Sequence, residues 1–238
     1  MPEFRCKVLK IQGAKNIRDI GGYRGRGGVL AHGRFIRAGF LSDLTDAGIN
    51  SLLSEGVDCI VDLRSGFERK ERPSRLTGEH GVEDFHVPMM DFIHSSLSAK
   101  DYTWLPESLE HLYHHTLHGG GADFLRAFKI FAEDYRCTLF NCTAGKDRTG
   151  MTAMLLLGLA GVCEEDIIED YSYSHELNDR IILPGFPVFL FYSKPQTMRD
   201  TIDMLNRDFG GIIGYLEHIG VDAQMREKIC AKLGVDAG

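Results

Sequence analysis

One stretch constrains this chain more than any other: Phe140-Asn141-Cys142-Thr143-Ala144-Gly145-Lys146-Asp147-Arg148-Thr149-Gly150. Thr138-Leu139-Phe140 reads as a short buried strand, and residues 149–160 read as an apolar helix that follows the loop. A loop that turns from a strand into a helix N-terminus points its backbone N–H groups inward and makes a nest for an oxyanion. The helix dipole adds roughly half a positive charge at the same point. A thiol in such surroundings favours its thiolate, the nucleophilic form. Gly145 lets the backbone curl tightly, and Gly150 lets the helix approach its neighbours. Arg148 offers a planar fork for two nonbridging phosphate oxygens. The Thr149 hydroxyl stands where it could hydrogen-bond the sulfur and help thiolate leave. A bare C-x5-R pattern arises by chance. The preceding strand, the internal glycine and the Thr-Gly helix start make this one specific.

The rest of the chain supplies a frame for that loop. Residues 43–55 place Leu44, Ile49, Leu52 and Leu53 on one helical face, with Gly56 as a stop. Val57-Asp58-Cys59-Ile60-Val61-Asp62-Leu63 reads as a buried strand and Phe85-His86-Val87-Pro88 as a shorter one. The glycine-rich first 40 residues suggest turns and short edge strands such as 34–37. Residues 94–121 are poorly periodic and read as a loop or helix-bearing insertion near a site; residues 124–135 read as a helix on the sheet. After Val162 the chain looks all-helical, with helices at 164–177, within 187–206, at 211–219 and at 223–233. Strands alternating with helices predict an α/β fold with a central, mainly parallel sheet flanked by helices. The 238 residues suit a single domain, 1–238. Many aromatics (Tyr171, Tyr173, Phe186, Phe189, Phe191, Tyr192) fall in the helical region of about 164–207, which either packs as core or covers the active site as a lid.

Composition narrows the function classes. A net charge of −7 argues against nonspecific nucleic-acid binding. No apolar stretch approaches the roughly 20 residues that span a bilayer, so no membrane insertion is expected. The opening MPEFRCKVLK lacks the apolar core of a secretory leader, which makes a cytoplasmic protein the default and leaves export by another route open. The six cysteines form no CxxC pair and read as buried thiols, Cys142 apart. Arg64, Arg69, Lys70, Arg72 and Arg75 form a local basic stretch, read either as a solvated loop or as a rim attracting anions. His111, His114, His115 and His118 share i, i+4 spacings but lack a recognised ligand pattern, so a solvated face is expected and no metal.

Cys142 to Gly150 (CTAGKDRTG) resembles the phosphate-binding loop of the cysteine-based protein tyrosine phosphatase superfamily. More narrowly, the chain is similar to a bacterial and fungal tyrosine phosphatase group. Asn16-Ile17-Arg18-Asp19-Ile20-Gly21-Gly22 resembles its N-F-R-D-L-G-G opening, and Phe35-Ile36-Arg37-Ala38-Gly39 with Leu41-Ser42 its F-R-S-x-x-L-S. Val61-Asp62-Leu63-Arg64-Ser65 with Glu68 resembles its D-L-R-S-x-x-E, and Gly210-Gly211 with Tyr215-Leu216 its G-G-x-x-x-Y-L. Asn141 departs from the usual histidine before the nucleophile, and Ile17 from phenylalanine.

The resemblance implies the tyrosine phosphatase fold and a two-step, metal-free and cofactor-free mechanism through a cysteinyl-phosphate on Cys142. One carboxyl group serves as acid and then base; Asp147 and Asp91 compete for that role. Thr143, Ala144, Gly145, Lys146 and Thr149 would line the substrate phosphate with Arg148. Lys146 adds a second cation, a feature shared with phosphatases that accept phosphoinositides. The implied partners are phosphotyrosine proteins, phosphoserine and phosphothreonine as a broader range, or inositol lipid head groups. Asn16, Arg18, Asp19 and Arg64 read as structural, with Arg18 or Arg64 pairing Asp19 or Asp62 to brace the loop. Rival readings are a phosphoinositide phosphatase, a catalytically weak phosphate-binding module and a rhodanese-type sulfurtransferase.

Overall fold

The computed structural model describes residues 6–77, 80–90, 106–178 and 187–237. In chain order its strands are β1 (Lys7–Val8), β2 (Arg18–Asp19), β3 (Arg24–Gly25), β4 (Gly28–Val29), β5 (Phe35–Ala38), β6 (Val57–Asp62), β7 (Glu83–His86) and β8 (Cys137–Asn141). Six of them form one sheet in the order β1-β2-β5-β8-β6-β7, while β3 and β4 make a separate hairpin. The β5–β8, β8–β6 and β6–β7 pairs are parallel; β1 and β2 add antiparallel to one side. The mainly parallel sheet expected from the alternating pattern is therefore present.

The helices are α1 (Asp46–Ser54), α2 (Gly66–Glu71), α3 (Leu109–Gly119), α4 (Gly121–Phe131), α5 (Arg148–Leu159), α6 (Glu164–Leu177), α7 (Pro195–Phe209), α8 (Ile212–His218) and α9 (Ala223–Leu233). The α6 and α9 bounds coincide with those expected from the sequence. Helix α1 starts at Asp46 because the Thr45 hydroxyl accepts the Gly48 N–H at 3.2 Å as an N-cap. It stops where Gly56 takes a φ of 94°. The second short strand lies two residues earlier than expected, at Glu83–His86.

Strand β5 corrects the edge-strand expectation for 34–37. It lies inside the sheet between β2 and β8, with all four residues buried. Glycines around it made the local sequence look peripheral, and its neighbours come from distant parts of the chain.

Successive side chains on a strand face opposite ways, and the central strands obey this. Phe35 and Phe140 meet Phe131 of α4, at centroid distances of 5.4 and 5.6 Å. Ile36, Leu139 and Ile60 are in register across the sheet and pack with Leu44, Ile49 and Leu52 in a second cluster. Helix α5 is buried on nearly every side, which explains why its sequence is apolar without an amphipathic stripe. No helix among the described residues is long and apolar enough to cross a membrane.

Candidate active site

Cys142 follows β8 directly and is 1% exposed, and Arg148 opens α5. The intervening backbone is held from outside. The Thr143 carbonyl accepts the Phe40 N–H at 3.0 Å. The Ala144 carbonyl accepts Asn16 Nδ2 at 2.9 Å, and the Gly145 carbonyl accepts Arg37 Nη2 at 2.9 Å. A trans peptide places its C=O and N–H on opposite sides. Anchoring three successive carbonyls outward therefore turns the N–H groups of Ala144, Gly145 and Lys146 the other way, into the concave side of the loop. Gly145 has a φ of +66°, and a Cβ there would lie 2.6 Å from the Ala38 carbonyl and the Gly39 nitrogen. Only glycine lets the loop lie this close to the end of β5. Asn16 also adopts a positive φ, 49°, an uncommon choice that aims its amide at the loop.

Beneath the loop lies a buried charged frame. Asp170 of α6 binds Arg37 Nη1 through Oδ2 and Arg18 Nε through Oδ1 at 2.9 Å. Arg18 also donates to the Asp170 carbonyl at 2.7 Å, to Ser174 Oγ at 3.1 Å and to Asn16 Oδ1. Burial works against the Asp170 charge, but the two guanidiniums outweigh it and hold the carboxyl below its usual range. Sequence reading paired Arg18 with Asp19 or Asp62, and the structure corrects this. Asp19 instead accepts the Gly21 and Gly33 N–H groups at 2.7 Å each. Arg64 does pair with Asp62, at 2.7 Å, and its Nη1 reaches the Arg72 carbonyl rather than the phosphate loop.

At the rim, Glu68 holds Arg148 end-on: Nη1 donates to Oε2 at 2.6 Å and Nη2 to Oε1 at 2.8 Å. Nη2 also donates to Thr143 Oγ1 at 3.5 Å; guanidinium carries five N–H donors, so Nε–H and the second Nη1 hydrogen stay available to an anion. Glu68 is itself fixed by a capping box, accepting the Ser65 N–H at 2.8 Å while Ser65 Oγ accepts the Glu68 N–H at 3.1 Å. Thr143 Oγ1 donates to Glu68 as well. Burial pushes the Glu68 carboxyl up, and Arg148 pulls it further down, to below the usual carboxylate range. The Arg148 pKa is raised: burial opposes its charge, and Glu68 together with the neighbouring Cys142 and Asp147 more than compensates.

Asp147 is the residue before α5. Its Oδ1 accepts the Tyr113 hydroxyl at 2.6 Å and lies 3.2 Å from Lys146 Nζ. Lys146 Nζ also donates to the Leu190 and Tyr192 carbonyls, at 2.7 and 3.0 Å. All three ammonium hydrogens thus have acceptors on the protein. The Thr149 hydroxyl is buried and makes no hydrogen bond among the described residues, to the Cys142 sulfur included. Asp91 lies outside the described residues.

The basic stretch is solvated and largely paired, and part of it is helix α2 rather than loop. Arg69 pairs with Asp84, Arg72 with Asp43 at 2.7 Å, and Arg75 with Asp46 at 2.8 Å; Lys70 is exposed. His118 faces Asp208 at 3.1 Å and His114 the Asp200 carbonyl at 3.3 Å.

A buried thiol after a strand, a loop whose carbonyls are anchored outward and a guanidinium held in place are the parts that hydrolysis of phosphate monoesters through a thiol nucleophile requires. The family model described as the tyrosine phosphatase family matches residues 9–234. A tyrosine-protein phosphatase of Nostoc commune is 32% identical over 218 residues, covering 84% of this chain and 74% of that one. The triple specificity protein phosphatase PtpB of Mycobacterium tuberculosis is 28% identical, covering 71% and 70%. The crystal structure of P. aeruginosa TpbA superposes with a TM-score of 0.50 at 11% identity, covering 92% of this chain and 98% of that one, a likeness of fold. The chain belongs to the tyrosine phosphatase family, and it is a phosphoric monoester hydrolase.

Proposed function

We propose that the protein hydrolyses phosphotyrosine, with a range broad enough for other phosphate monoesters, through a cysteinyl-phosphate on Cys142. The observation that carries this reading is the outward anchoring of the Thr143, Ala144 and Gly145 carbonyls, which leaves the following N–H groups to cradle phosphate beside a buried thiol. In the first step the Cys142 thiolate attacks phosphorus, the bond to the leaving oxygen breaks, and a protonated Asp147 delivers its proton to that oxygen. In the second, Asp147 takes a proton from water as water attacks phosphorus, the S–P bond breaks, and inorganic phosphate leaves. Arg148 binds the nonbridging oxygens through donors not used by Glu68. Asp147 is preferred to Asp91 because it sits in the loop next to Arg148.

Inositol lipid head groups form a second substrate reading, supported by Lys146, the second cation of the loop. With Lys146 bonded to the Leu190 and Tyr192 carbonyls, this reading requires the segment Val188–Phe191 to act as a cover that withdraws and frees the ammonium. The deciding experiment is p-nitrophenyl phosphate hydrolysis with EDTA present. Wild-type activity that survives chelation and vanishes in Cys142→Ser supports the cysteinyl-phosphate route. A folded wild type without turnover at acidic or neutral pH would favour a phosphate-binding module instead. Side-by-side turnover of a phosphotyrosine peptide and a phosphoinositide ranks the two substrate classes.

A further inference from the structure

Both contacts to the Asp147 carboxyl fall on the same oxygen. Oδ1 receives the Tyr113 hydroxyl at 2.6 Å and the Lys146 ammonium at 3.2 Å, and Oδ2 has no partner among the described residues. Tyr113 projects from α3 and is fully buried, so its hydroxyl has one location. Behind it stands Tyr171 of α6, with the two hydroxyl oxygens 2.9 Å apart and the rings edge to face at 6.1 Å. Because the Tyr113 proton is spent on Asp147, the proton between the two phenols must come from Tyr171. Tyr171 reaches this place because α5 carries Gly150: a Cβ there would lie 3.0 Å from the Tyr171 ring. Burial and the facing Asp147 charge push the Tyr113 phenol well above its ordinary range, so it stays a donor at every working pH.

We propose that Tyr113, backed by Tyr171, is a positioning residue for catalysis: it holds Oδ1 of Asp147 so that Oδ2 carries the proton given to the leaving oxygen and later taken from water. This rests on the reading of Asp147 as the acid and base. A carboxyl on a loop-to-helix junction can otherwise rotate about its side-chain torsions, and proton transfer requires hydrogen-bond reach and alignment. Tyr113 comes from an element distant in sequence, so it ties the acid to the body of the molecule through α3. The groups facing Asp147 are Lys146 and Arg148 beside it in the loop, Tyr113 from α3 and Tyr171 from α6. Glu110 lies one step further along α3, acting on Tyr171.

The test is leaving-group dependence in the full-length enzyme. Phenyl phosphate needs its leaving oxygen protonated, whereas p-nitrophenyl phosphate departs with little help. Tyr113→Phe should lose about tenfold in kcat on phenyl phosphate and clearly less on p-nitrophenyl phosphate. Tyr171→Phe should show the same bias, smaller, and covers the case in which Tyr113→Phe does not fold. Competitive inhibition by inorganic phosphate, which reports the loop alone, should keep its constant. Equal losses on both substrates in Tyr113→Phe, alongside a strong bias in Asp147→Asn, would overturn the positioning role while leaving Asp147 as the acid. No bias in Asp147→Asn would overturn the reading of Asp147 itself, and the proposal with it.

Discussion

The underside and the rim of the phosphate loop are both built from arginine–carboxylate pairs, yet they differ in burial and in task. Below, Arg18, Arg37 and Asp170 are almost wholly buried, and Arg37 and Asn16, which Arg18 in turn contacts, reach the loop at backbone carbonyls. At the rim, Arg148 and Glu68 retain 13% and 9% side-chain exposure, and the pair leaves guanidinium hydrogens free. The buried frame fixes which way the loop's peptide groups point. The rim holds a cation that still has bonds to give. Charge sealed from water shapes backbone, and the rim pair keeps part of its surface and some of its hydrogens open.

The sharpest way to break this comparison is to remove the shared carboxylate below. Asp170→Ala leaves two guanidiniums buried without a counter-ion. It should cost about 3–5 kcal/mol of stability, measured as the shift of a urea unfolding midpoint. The surviving folded fraction should also turn over more slowly, since Arg37 loses the partner that aims it at Gly145. A loss below about 1 kcal/mol, the scale of an exposed ion pair, would show that water reaches the frame and that the two regions differ less than their burial indicates.

That frame marks the limit of what the sequence made legible. The strand, the loop and helix α5 are contiguous, so alternation, glycine placement and the Cys-to-Arg spacing identified them together. Helices α6 and α9 were readable from end to end, α6 between Gly161 and Asn178 and α9 between Asp222 and Gly234. Asp170 is separated from Arg37 by 133 residues and looks like one more acid on a helix that opens Glu164-Glu165-Asp166. Nothing local distinguishes it. Arg37 was misread with its strand, since a strand of four residues among glycines looks peripheral until β2 is seen beside it. Glu68 did carry a local signal, the Ser-x-x-Glu of a capping box. That signal accounts for one carboxylate contact and is silent about Arg148. Tyr113 fell in the stretch read as aperiodic; helix α3 is amphipathic, but its apolar positions begin only at Leu109.

A middle-sized effect is expected at the rim. Glu68→Gln removes the charge while keeping the size, so Arg148 loses one strong end-on partner. Stability should fall by about 1–2 kcal/mol and kcat/KM by about tenfold, as the guanidinium samples other rotamers. The pH dependence gives an independent check. The folded-state Glu68 carboxyl lies below its unfolded value of about 4.3, so its contribution is full at neutral pH and is lost as pH falls below that value. Urea midpoints measured through this acidic range should fall less steeply in Glu68→Gln than in wild type. Parallel slopes in the two proteins would place the acid-sensitive group elsewhere, Asp170 being the next to examine since its carboxyl is depressed too.

The smallest effect concerns charges outside both regions. Arg75 pairs at 2.8 Å with Asp46, and the two side chains are 48% and 88% exposed. Exposed pairs of this kind contribute little, so Arg75→Ala should cost less than about 1 kcal/mol. The more informative readout is kinetic. If Arg64, Arg69, Lys70, Arg72 and Arg75 drew anionic substrates toward the loop, removing one charge would lower kcat/KM and flatten its dependence on ionic strength. With Arg64, Arg69, Arg72 and Arg75 each matched to an aspartate, the local field is largely cancelled. Arg75→Ala should therefore keep both the wild-type kcat/KM for a phosphotyrosine peptide and its salt slope. A several-fold loss with a flatter slope would make this stretch a third functional region, one whose charge acts at long range despite its pairing.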